Sequence, residues 1–336
     1  ELQRLRKGRK LAVTDKGCEY VADERSIEPG TYEITEYAPA KHAVVDYLRA
    51  RLTAVLGRWP GRPTLMLSGG VDSILIAAVL AQLRTDVLAV TFSQDSSQQA
   101  AEETKVASEV ARALGFEHHV VAPRGEALET LLKETIERLD TVEPWEVLSG
   151  AILVAIDTYR QEYHADGALI TGAGADALFL GGKTIDTAAN NYLQLWDDQV
   201  RRGIKANFTR QRFIPDFYER LIADPERHIQ VWQTHEAVDL ALRIHPRVIR
   251  GADIAQDKAL FRRIAADMGI SPELVQTTKN PMQVSSGGVD AIVTLVREQL
   301  TRRAGEKTYS DPMREPLEFT VARMFLEQLK TQARGE

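Results

Sequence analysis

One stretch of sequence organises the rest of the chain: Thr64-Leu65-Met66-Leu67-Ser68-Gly69-Gly70-Val71-Asp72-Ser73, continued by Ile74-Leu75-Ile76-Ala77-Ala78-Val79-Leu80. The short apolar run at its start is typical of a buried strand. The run from Val71 to Leu83 is apolar on nearly all sides and too long for a typical strand, so it predicts a largely buried helix. The Ser-Gly-Gly turn between them brings backbone N–H groups to the positive end of that helix. The pattern predicts an anion site, to which the Ser68 and Ser73 hydroxyls contribute.

Asp72 is the unusual member of this turn. A carboxylate in a phosphate-binding turn repels the phosphate unless a cation lies between them. We therefore expect Mg²⁺ at this position.

The segment Ser68–Ser73 resembles the SGGxDS pyrophosphate loop of the N-type ATP pyrophosphatases, or PP-loop enzymes. That family includes asparagine, β-lactam, argininosuccinate and GMP synthetases and several tRNA-modifying enzymes. The resemblance implies cleavage of ATP between its α and β phosphates, which gives an adenylated substrate and pyrophosphate. It also implies that the nucleotide is bound by the first loop, the second strand and a later loop, through Leu67, Ser68, Gly69, Gly70, Asp72, Ser73, Val90, Phe92, Gly172 and Gly174.

Length and composition limit the classes of protein to consider. With 336 residues the chain can form one large domain or two moderate ones. The net charge of −6 argues against a dedicated nucleic-acid-binding protein. The single Cys18 excludes an internal disulfide and a Cys-x-x-Cys site, and it fits a reducing cytosol. We find no bilayer-spanning apolar run and no signal peptide, so a cytoplasmic protein is expected.

Strands alternate with helices from residue 64 to residue 171, which predicts an α/β fold with a doubly wound parallel sheet of the PP-loop type. Strands are predicted at 64–67, 87–92, 116–122 and 168–171, and helices at 41–56, 98–114, 127–139 and 151–163. We assign the sheet to residues 64–182 and a mostly helical part to residues 183–336.

Residues 1–40 form a small N-terminal segment, with short strands predicted at 11–14 and 31–34 around a turn at 28–30. Pro29-Gly30-Thr31-Tyr32 is similar to the linker that follows the glutaminase domain of asparagine synthetases, so this segment is interpreted as a remnant of such a domain. The chain opens with Glu1, without Met or a nucleophilic Cys, which leaves its native start open.

A second candidate loop, Thr171–Gly182, also follows a buried strand and is expected at the same edge of the sheet. It resembles the corresponding loop of asparagine and β-lactam synthetases, and the resemblance implies that Asp176 joins Asp72 in holding Mg²⁺. Where this chain has Ala173, asparagine synthetases carry Glu and β-lactam synthetases carry Tyr, part of a pair that deprotonates the amine; where it has Ala177, a Glu usually follows the metal-binding Asp. The acceptor is therefore not expected to be aspartate bound in the usual way. Either the nucleophile needs no base, or another group supplies it.

A third candidate segment, Thr277–Gly288, follows a predicted helix that ends near residue 265. The order of its residues resembles the C-terminal part of β-lactam synthetases. By that resemblance Lys279 is the catalytic residue, because its ammonium would reach the α-phosphate and the acyl-adenylate. If Lys279 proves to be a surface residue, Lys258 is the next lysine to test.

Together these residues predict an ATP- and Mg²⁺-dependent, AMP-forming ligase. It would adenylate a small-molecule carboxylate, or an amide-like carbonyl, and couple it to ammonia or an amine. A separate glutaminase is one source of that ammonia. Two alternatives stay open: an enzyme that adenylates a nucleobase or tRNA, and a degenerate relative that binds nucleotide as a scaffold. No membrane association is expected, nucleic acid is disfavoured, and a homodimer is left open.

Overall fold

The computed structural model describes residues 10–14, 17–21, 31–94, 98–183, 185–186, 189–208, 217–251, 256–276, 285–303 and 311–333. Its strands, in chain order, are β1 Lys10–Thr14, β2 Gly17–Val21, β3 Thr64–Met66, β4 Leu88–Phe92, β5 Glu117–Val121, β6 Leu169–Thr171 and β7 His228–Gln230. Its α-helices are α1 Tyr37–Arg58, α2 Val71–Ala81, α3 Gln98–Leu114, α4 Glu126–Leu139, α5 Pro144–Glu162, α6 Ala175–Phe179, α7 Tyr192–Phe208, α8 Phe217–Leu221, α9 His235–Arg243, α10 Pro246–Arg250, α11 Ala259–Asp267, α12 Gly288–Arg303 and α13 Leu317–Ala333. Two short 3₁₀ helices are formed by Pro225–Arg227 and Pro272–Val275.

The centre of the fold is a five-stranded sheet in the order β5-β4-β3-β6-β7, in which every neighbouring pair is parallel. In the central strand Thr64 pairs with Leu88 on one side and with Leu169 on the other. The chain thus leaves β3 toward β4 and returns on the opposite side at β6. Parallel α/β sheets bind ligands at such a reversal, beyond the carboxyl ends of the strands. The predicted fold class is confirmed.

Helix α2 is the most deeply buried helix next to this sheet, with every residue from 71 to 80 buried. The sequence is apolar all round because neighbouring helices, among them α1, α3 and α11, pack against α2. Full burial of one Ile or Leu side chain stabilises a fold by about 1.5–3 kcal/mol. The first turn of α2, which carries Asp72 and Ser73, is therefore fixed by the core beneath it.

The N-terminal segment differs from its prediction. Residues 10–14 form β1 as expected, but β1 pairs antiparallel with β2, which lies only two residues further along the chain. Residues 31–34 are not a strand, and Ile34 makes one isolated bridge with Ile244. The predicted turn at 28–30 lies outside the described residues. Pairing of β1 with β2 closes a shorter loop than pairing with residues 31–34 would, so it costs less conformational entropy.

The sheet also extends beyond its predicted end at residue 182. Strand β7 comes from the part assigned as helical and pairs in parallel with β6, with Leu169 opposite His228 and Thr171 opposite Gln230. It has only three residues, too few for a periodic pattern to be recognised. Helix α5 begins earlier than predicted, because Pro144 occupies its first turn, where proline is favoured. Within the described residues, no helix is both long and apolar enough to cross a bilayer.

Candidate active site

The loop between β3 and α2 is held closed by its two serines. The Ser73 hydroxyl lies 3.1 Å from the Ser68 hydroxyl and accepts a hydrogen bond from the Ser68 backbone N–H, also at 3.1 Å. It also lies 3.0 Å from the Ser68 and Gly70 carbonyl oxygens. The Ser68 hydroxyl in turn accepts from the Gly70 backbone N–H at 3.2 Å. The loop therefore keeps its shape while its hydroxyls converge at the start of an eleven-residue helix, where the partial positive charge favours anions.

Two glycines allow neighbouring segments to approach this loop closely. A Cβ on Gly69 would come within 2.9 Å of the Glu103 Cα, so α3 packs directly against the loop. A Cβ on Gly172 would lie 3.2 Å from the Ser73 backbone nitrogen, so the loop after β6 touches the first turn of α2. The two candidate loops, a hundred residues apart in sequence, are thereby in contact at one edge of the sheet, as predicted.

Lys258 lies between the two carboxylates predicted to hold a metal. Its ammonium donates to both carboxylate oxygens of Asp72, at 2.6 and 2.5 Å, and also to the carboxylate of Asp176. The Lys258 side chain is completely buried, the Asp72 side chain is 7% exposed, and the Asp176 side chain is 45% exposed. The three groups form an ion cluster that is closed on the Asp72 side and open to solvent on the Asp176 side.

The backbone around this cluster is specialised. Lys258 has a φ of 50°, in the left-handed region, directly before α11. That conformation costs a non-glycine residue about 1–2 kcal/mol, so the surrounding contacts must compensate for it. Gly181 lies beside the cluster, where a Cβ would overlap the Asp176 carboxylate and come within 2.7 Å of the Lys258 Cε. A glycine is thus required for the ion cluster to close.

The carboxylates of Asp72 and Asp176 suit a bound cation, because both already contact the ammonium of Lys258. Among the residues that the structure describes, no group of three or more His, Cys, Asp or Glu side chains converges on one point. Mg²⁺ at nucleotide sites is commonly held by one or two carboxylates, with substrate phosphates and water completing its coordination. The two aspartates are therefore sufficient as the protein's share of such a site.

A hydrogen-bonded chain of side chains supports the first loop from the edge of the sheet. The Thr91 hydroxyl donates to the Leu67 carbonyl oxygen at 2.6 Å and lies 2.8 Å from the His118 Nε2. Since the Thr91 proton is used on Leu67, the His118 Nε2 must carry the proton of the second bond. Burial, and then the neighbouring His119, lower the pKa of His118, which favours a neutral ring with its one proton on Nε2. His118 thus supports the loop indirectly, through Thr91.

The other residues predicted to bind nucleotide lie at this edge in different settings. Leu67 and Val90 have buried side chains in the core, and the Leu67 N–H donates to the Val90 carbonyl at 3.0 Å. Phe92 is partly exposed at the carboxyl end of β4. Gly174 directly precedes α6 with a φ of 101°, and a Cβ there would come within 2.8 Å of the Gln233 side chain. The Leu67 N–H and carbonyl and the Val90 carbonyl are thus already bonded within the protein.

Lys279 lies outside the described residues, but both flanks of its segment are anchored. The Gln94 N–H, just beyond β4, donates to the Ser286 carbonyl at 2.7 Å. On the other flank, the guanidinium of Arg262 donates to the carbonyl oxygens of Asp257, at 2.8 Å, and Val275. Arg262 thereby links the residue before Lys258 to the end of the second 3₁₀ helix.

The comparison with protein families identifies the chain at this point. A family model described as asparagine synthase matches residues 61–233, just over half of the chain. The chain belongs to the asparagine synthase family. The matched residues include β3, the Ser-Gly-Gly loop, β6 and the loop that carries Asp176. This is a family of ATP-utilising synthetases.

Solved structures with some similarity include two other synthetases. The ammonia-dependent NAD synthetase of Campylobacter jejuni is 16% identical, with a TM-score of 0.33, over 53% of this chain and 78% of that chain. The NMN synthetase of Francisella tularensis is 15% identical, with a TM-score of 0.33, over 73% of this chain and 98% of that chain. No curated protein sequence matches the chain significantly.

The sequence predicts Lys279 as the catalytic lysine and Lys258 only as the next candidate. Lys258 lies beyond the part matched by the asparagine synthase family model. The available signal was its position directly before an amphipathic helix with apolar residues at 260, 261 and 264. Lysine is almost always exposed at such positions. Only the three-dimensional fold brings it to the aspartates.

Proposed function

We propose that the chain is an AMP-forming ligase that adenylates a small-molecule carboxylate and then couples it to ammonia or an amine. The observation that carries the proposal is the meeting of Asp72 and Asp176 around one cationic group, beside a Ser-Gly-Gly loop at the sheet edge. Two carboxylates that converge on a cation next to hydroxyl and N–H donors suit a triphosphate and its metal better than they suit an uncharged ligand.

In the first half-reaction a carboxylate oxygen of the acceptor attacks the α-phosphorus of ATP. The bond from that phosphorus to the bridging oxygen of the β-phosphate breaks, and pyrophosphate leaves with the electron pair. The Ser68 and Ser73 hydroxyls, the loop N–H groups and the N-terminus of α2 bind the departing phosphates. The ammonium of Lys258, bound to Asp72 and Asp176, adds positive charge at the same edge of the sheet.

Asp72 and Asp176 would hold Mg²⁺ on the phosphates. When bound, this ion supplies positive charge that stabilises the pyrophosphate leaving group. Because Asp72 is buried and accepts two bonds from Lys258, it holds a fixed position. Asp176 is more exposed and is the carboxylate with room to change partner.

Lys279 is proposed as the residue that contacts the α-phosphate as charge develops there. The support is chain connectivity, since Lys279 follows Gln276 by three residues and three residues span at most about 10 Å. Gln276 follows Val275, which Arg262 ties to the turn before Lys258. Lys279 thus follows closely in sequence a residue that is anchored beside Lys258.

In the second half-reaction the nitrogen attacks the acyl carbon, AMP leaves, and the nitrogen loses a proton. Ala173 and Ala177 offer no base at the positions where asparagine and β-lactam synthetases have ionisable residues. The nitrogen therefore reacts as a free, unprotonated amine or ammonia, or it loses its proton to another group. A separate glutaminase would serve as an ammonia source.

The test is a pyrophosphate-release assay with ATP, Mg²⁺ and a panel of carboxylic acids, with and without ammonium, in which AMP is also measured. We expect release that depends on one class of acid and is lost in Asp72→Asn. Asp86→Asn is the matched control, because Asp86 is a surface carboxylate bound to Arg84. Release that depends on nucleobases or tRNA would show that the acceptor is not a carboxylic acid and would support the nucleobase- or tRNA-adenylating alternative. Tight ATP binding without release under any condition would support the scaffold alternative.

A further inference from the structure

Helix α13 turns its polar side toward its own chain and its apolar side toward solvent. Thr320 is the one buried residue between 317 and 330, and Arg323 and Glu327 on the same side are partly buried. Arg323 donates to both carboxylate oxygens of Glu315, at 3.1 and 2.7 Å. The Glu315 carbonyl accepts from Arg297 of α12 at 3.0 Å. A surface helix of a monomeric protein normally has the reverse orientation.

The exposed side of α13 is a continuous ridge of apolar residues at four-residue spacing. Its members are Leu317, Val321, Phe325 and Leu329, with exposed fractions of 49%, 57%, 58% and 43%. Further exposed apolar side chains lie on α13 outside the ridge, namely Phe319, Met324 and Leu326, and Met313 is exposed just before the helix. A helix of this length with so little packing is marginal in water, so covering the ridge would stabilise it.

We propose that this ridge is the surface through which two copies of the chain pair, antiparallel, in a two-fold symmetric dimer. The exposed apolar area of the ridge and the other exposed apolar side chains is on the order of 700 Å², close to the roughly 800 Å² per partner of a standard stable interface. It exceeds the roughly 300–600 Å² that the largest apolar patch of a typical monomer reaches.

A second copy fits because the ridge is self-complementary when reversed. Antiparallel pairing about residue 323 places Leu317 opposite Leu329 of the second copy, and Val321 opposite its Phe325. Ridges at four-residue spacing pack into the grooves of an identical ridge. The same arrangement brings Glu318, in the first turn, toward the end of the other helix that carries Lys330. It also opposes the two helix dipoles favourably.

A membrane surface fits this helix poorly. Between residues 317 and 330 the two basic residues, Arg323 and Lys330, are balanced by Glu318 and Glu327. Helices that lie in the membrane interface are rich in Lys and Arg on their polar face. Here Arg323 is already bound to Glu315.

The first experiment is sedimentation equilibrium of the chain and of Phe325→Glu. We expect a dimer at micromolar concentration for the parent and a rise in the dissociation constant of at least roughly 30-fold for the variant. Val142→Glu is the matched control, since Val142 is 79% exposed outside α13, and it should dimerise like the parent. A monomeric parent overturns the proposal, and so does a Phe325→Glu variant that still dimerises. Binding of the monomer to anionic phosphatidylserine vesicles would assign the ridge to a membrane instead.

The second experiment tests the antiparallel arrangement by disulfide trapping in a Cys18→Ala background. Val321→Cys and Phe325→Cys chains, whose cysteines would face each other where the two helices cross, are mixed and oxidised. Antiparallel pairing brings the two different cysteines within disulfide reach, so the mixture should cross-link several-fold more than either variant alone. Cross-linking of each variant with itself, in preference to the mixture, indicates a parallel or different interface and overturns the proposal.

Discussion

Asp72 and Lys258, 186 residues apart in the chain, are joined through both carboxylate oxygens at 2.6 and 2.5 Å in the interior of the protein. Burial of two opposite charges costs solvation energy that their attraction offsets only when the geometry is good. Removal of one partner from such a pair typically costs about 3–5 kcal/mol. The pair therefore links the stability of the fold to the integrity of the candidate active site.

Substitution Lys258→Met tests whether the ammonium occupies the position that a divalent cation would take. The variant leaves two carboxylates close together without it, so we expect a lower Tm than that of the parent. Without nucleotide, Mg²⁺ should raise the Tm of Lys258→Met more than that of the parent. The measurement is a thermal melt with and without Mg²⁺. Lys41→Met is the control, because Lys41 makes a partly exposed pair with Asp267 at 2.7 Å. Equal Mg²⁺ effects in all three proteins would contradict this interpretation.

Substitution of either aspartate should abolish activity, but the two variants should differ in stability. Asp72→Asn and Asp176→Asn should both lose pyrophosphate release, since both carboxylates are proposed to hold the metal. Asp72 is the more buried and makes two bonds to Lys258, so Asp72→Asn should unfold at a lower urea concentration than Asp176→Asn. Urea titrations of both variants measure the difference. The reverse order of the midpoints would show that the contact with Asp176 stabilises the cluster more.

Gly181→Ala should damage the site through crowding alone. Its Cβ would displace either the Asp176 carboxylate or the Lys258 side chain. A displacement of about 1 Å in a catalytic group can reduce the rate on the order of 10²-fold. Gly57→Ala is the control, because an added Cβ would meet no atom within 4 Å beyond the backbone of its own helix α1, where alanine is favoured. The assay is pyrophosphate release at saturating ATP. A Gly181→Ala variant as active as Gly57→Ala would show that the cluster adapts to the methyl group.

Lys279→Ala should affect the reaction rate more than ATP binding. A group that contacts the α-phosphate mainly as charge develops contributes to kcat and little to the ground-state complex. Loss of one such contact typically lowers the rate on the order of 10²–10³-fold. Calorimetry should show nearly normal ATP–Mg²⁺ binding, and Lys279→Arg should recover part of the rate. Turnover within a few-fold of the parent would remove Lys279 from the site and leave Lys258 as the active lysine.

His228 should make stability depend on pH. It lies at the start of β7 with its ring 4.7 Å from that of Tyr218, and burial lowers its pKa from 6.5 to about 4, against the opposing effect of Asp157. Between these pH values the unfolded chain binds a proton that the folded chain does not. The free energy of unfolding should therefore fall as pH drops from 6.5 to 4, by on the order of 1–3 kcal/mol.

Urea unfolding of His228→Gln at several pH values measures this contribution. The variant should lose that part of the pH dependence, whereas His42→Gln, at an exposed position of α1, should keep it. An unchanged slope in His228→Gln would assign the effect to other groups.

The local parts of the site could be predicted from the sequence, because local chemistry determines them. The turn at Ser68–Ser73 follows from two glycines between a strand and an apolar helix, and the turn after β6 follows from the same pattern. Both loops meet at one edge because parallel strands all end there. The family resemblance added the pairing of Asp72 with Asp176, and the structure brings these carboxylates to one ammonium.

The long-range parts could not be predicted in the same way. Lys258 reaches Asp72 only because α11 packs on α2, and no periodic pattern encodes that contact. Strand β7 is defined by its partner β6 and not by its own three residues. The inverted orientation of α13 is likewise invisible in the sequence, since apolar residues at helical spacing normally predict a core-facing side.

The order of β6 and β7 has a consequence for how the protein is made. The sheet is complete only when residue 230 has been added, and the counter-charge for Asp72 and Asp176 arrives with residue 258. At about 5–20 residues per second, a ribosome needs roughly 10–40 s to extend the nascent chain from Asp72 to Lys258. During that interval the growing polypeptide carries the Ser-Gly-Gly loop without the buried cation of Lys258. Synthesis itself thus sets the time before which no nascent chain can hold the complete candidate active site.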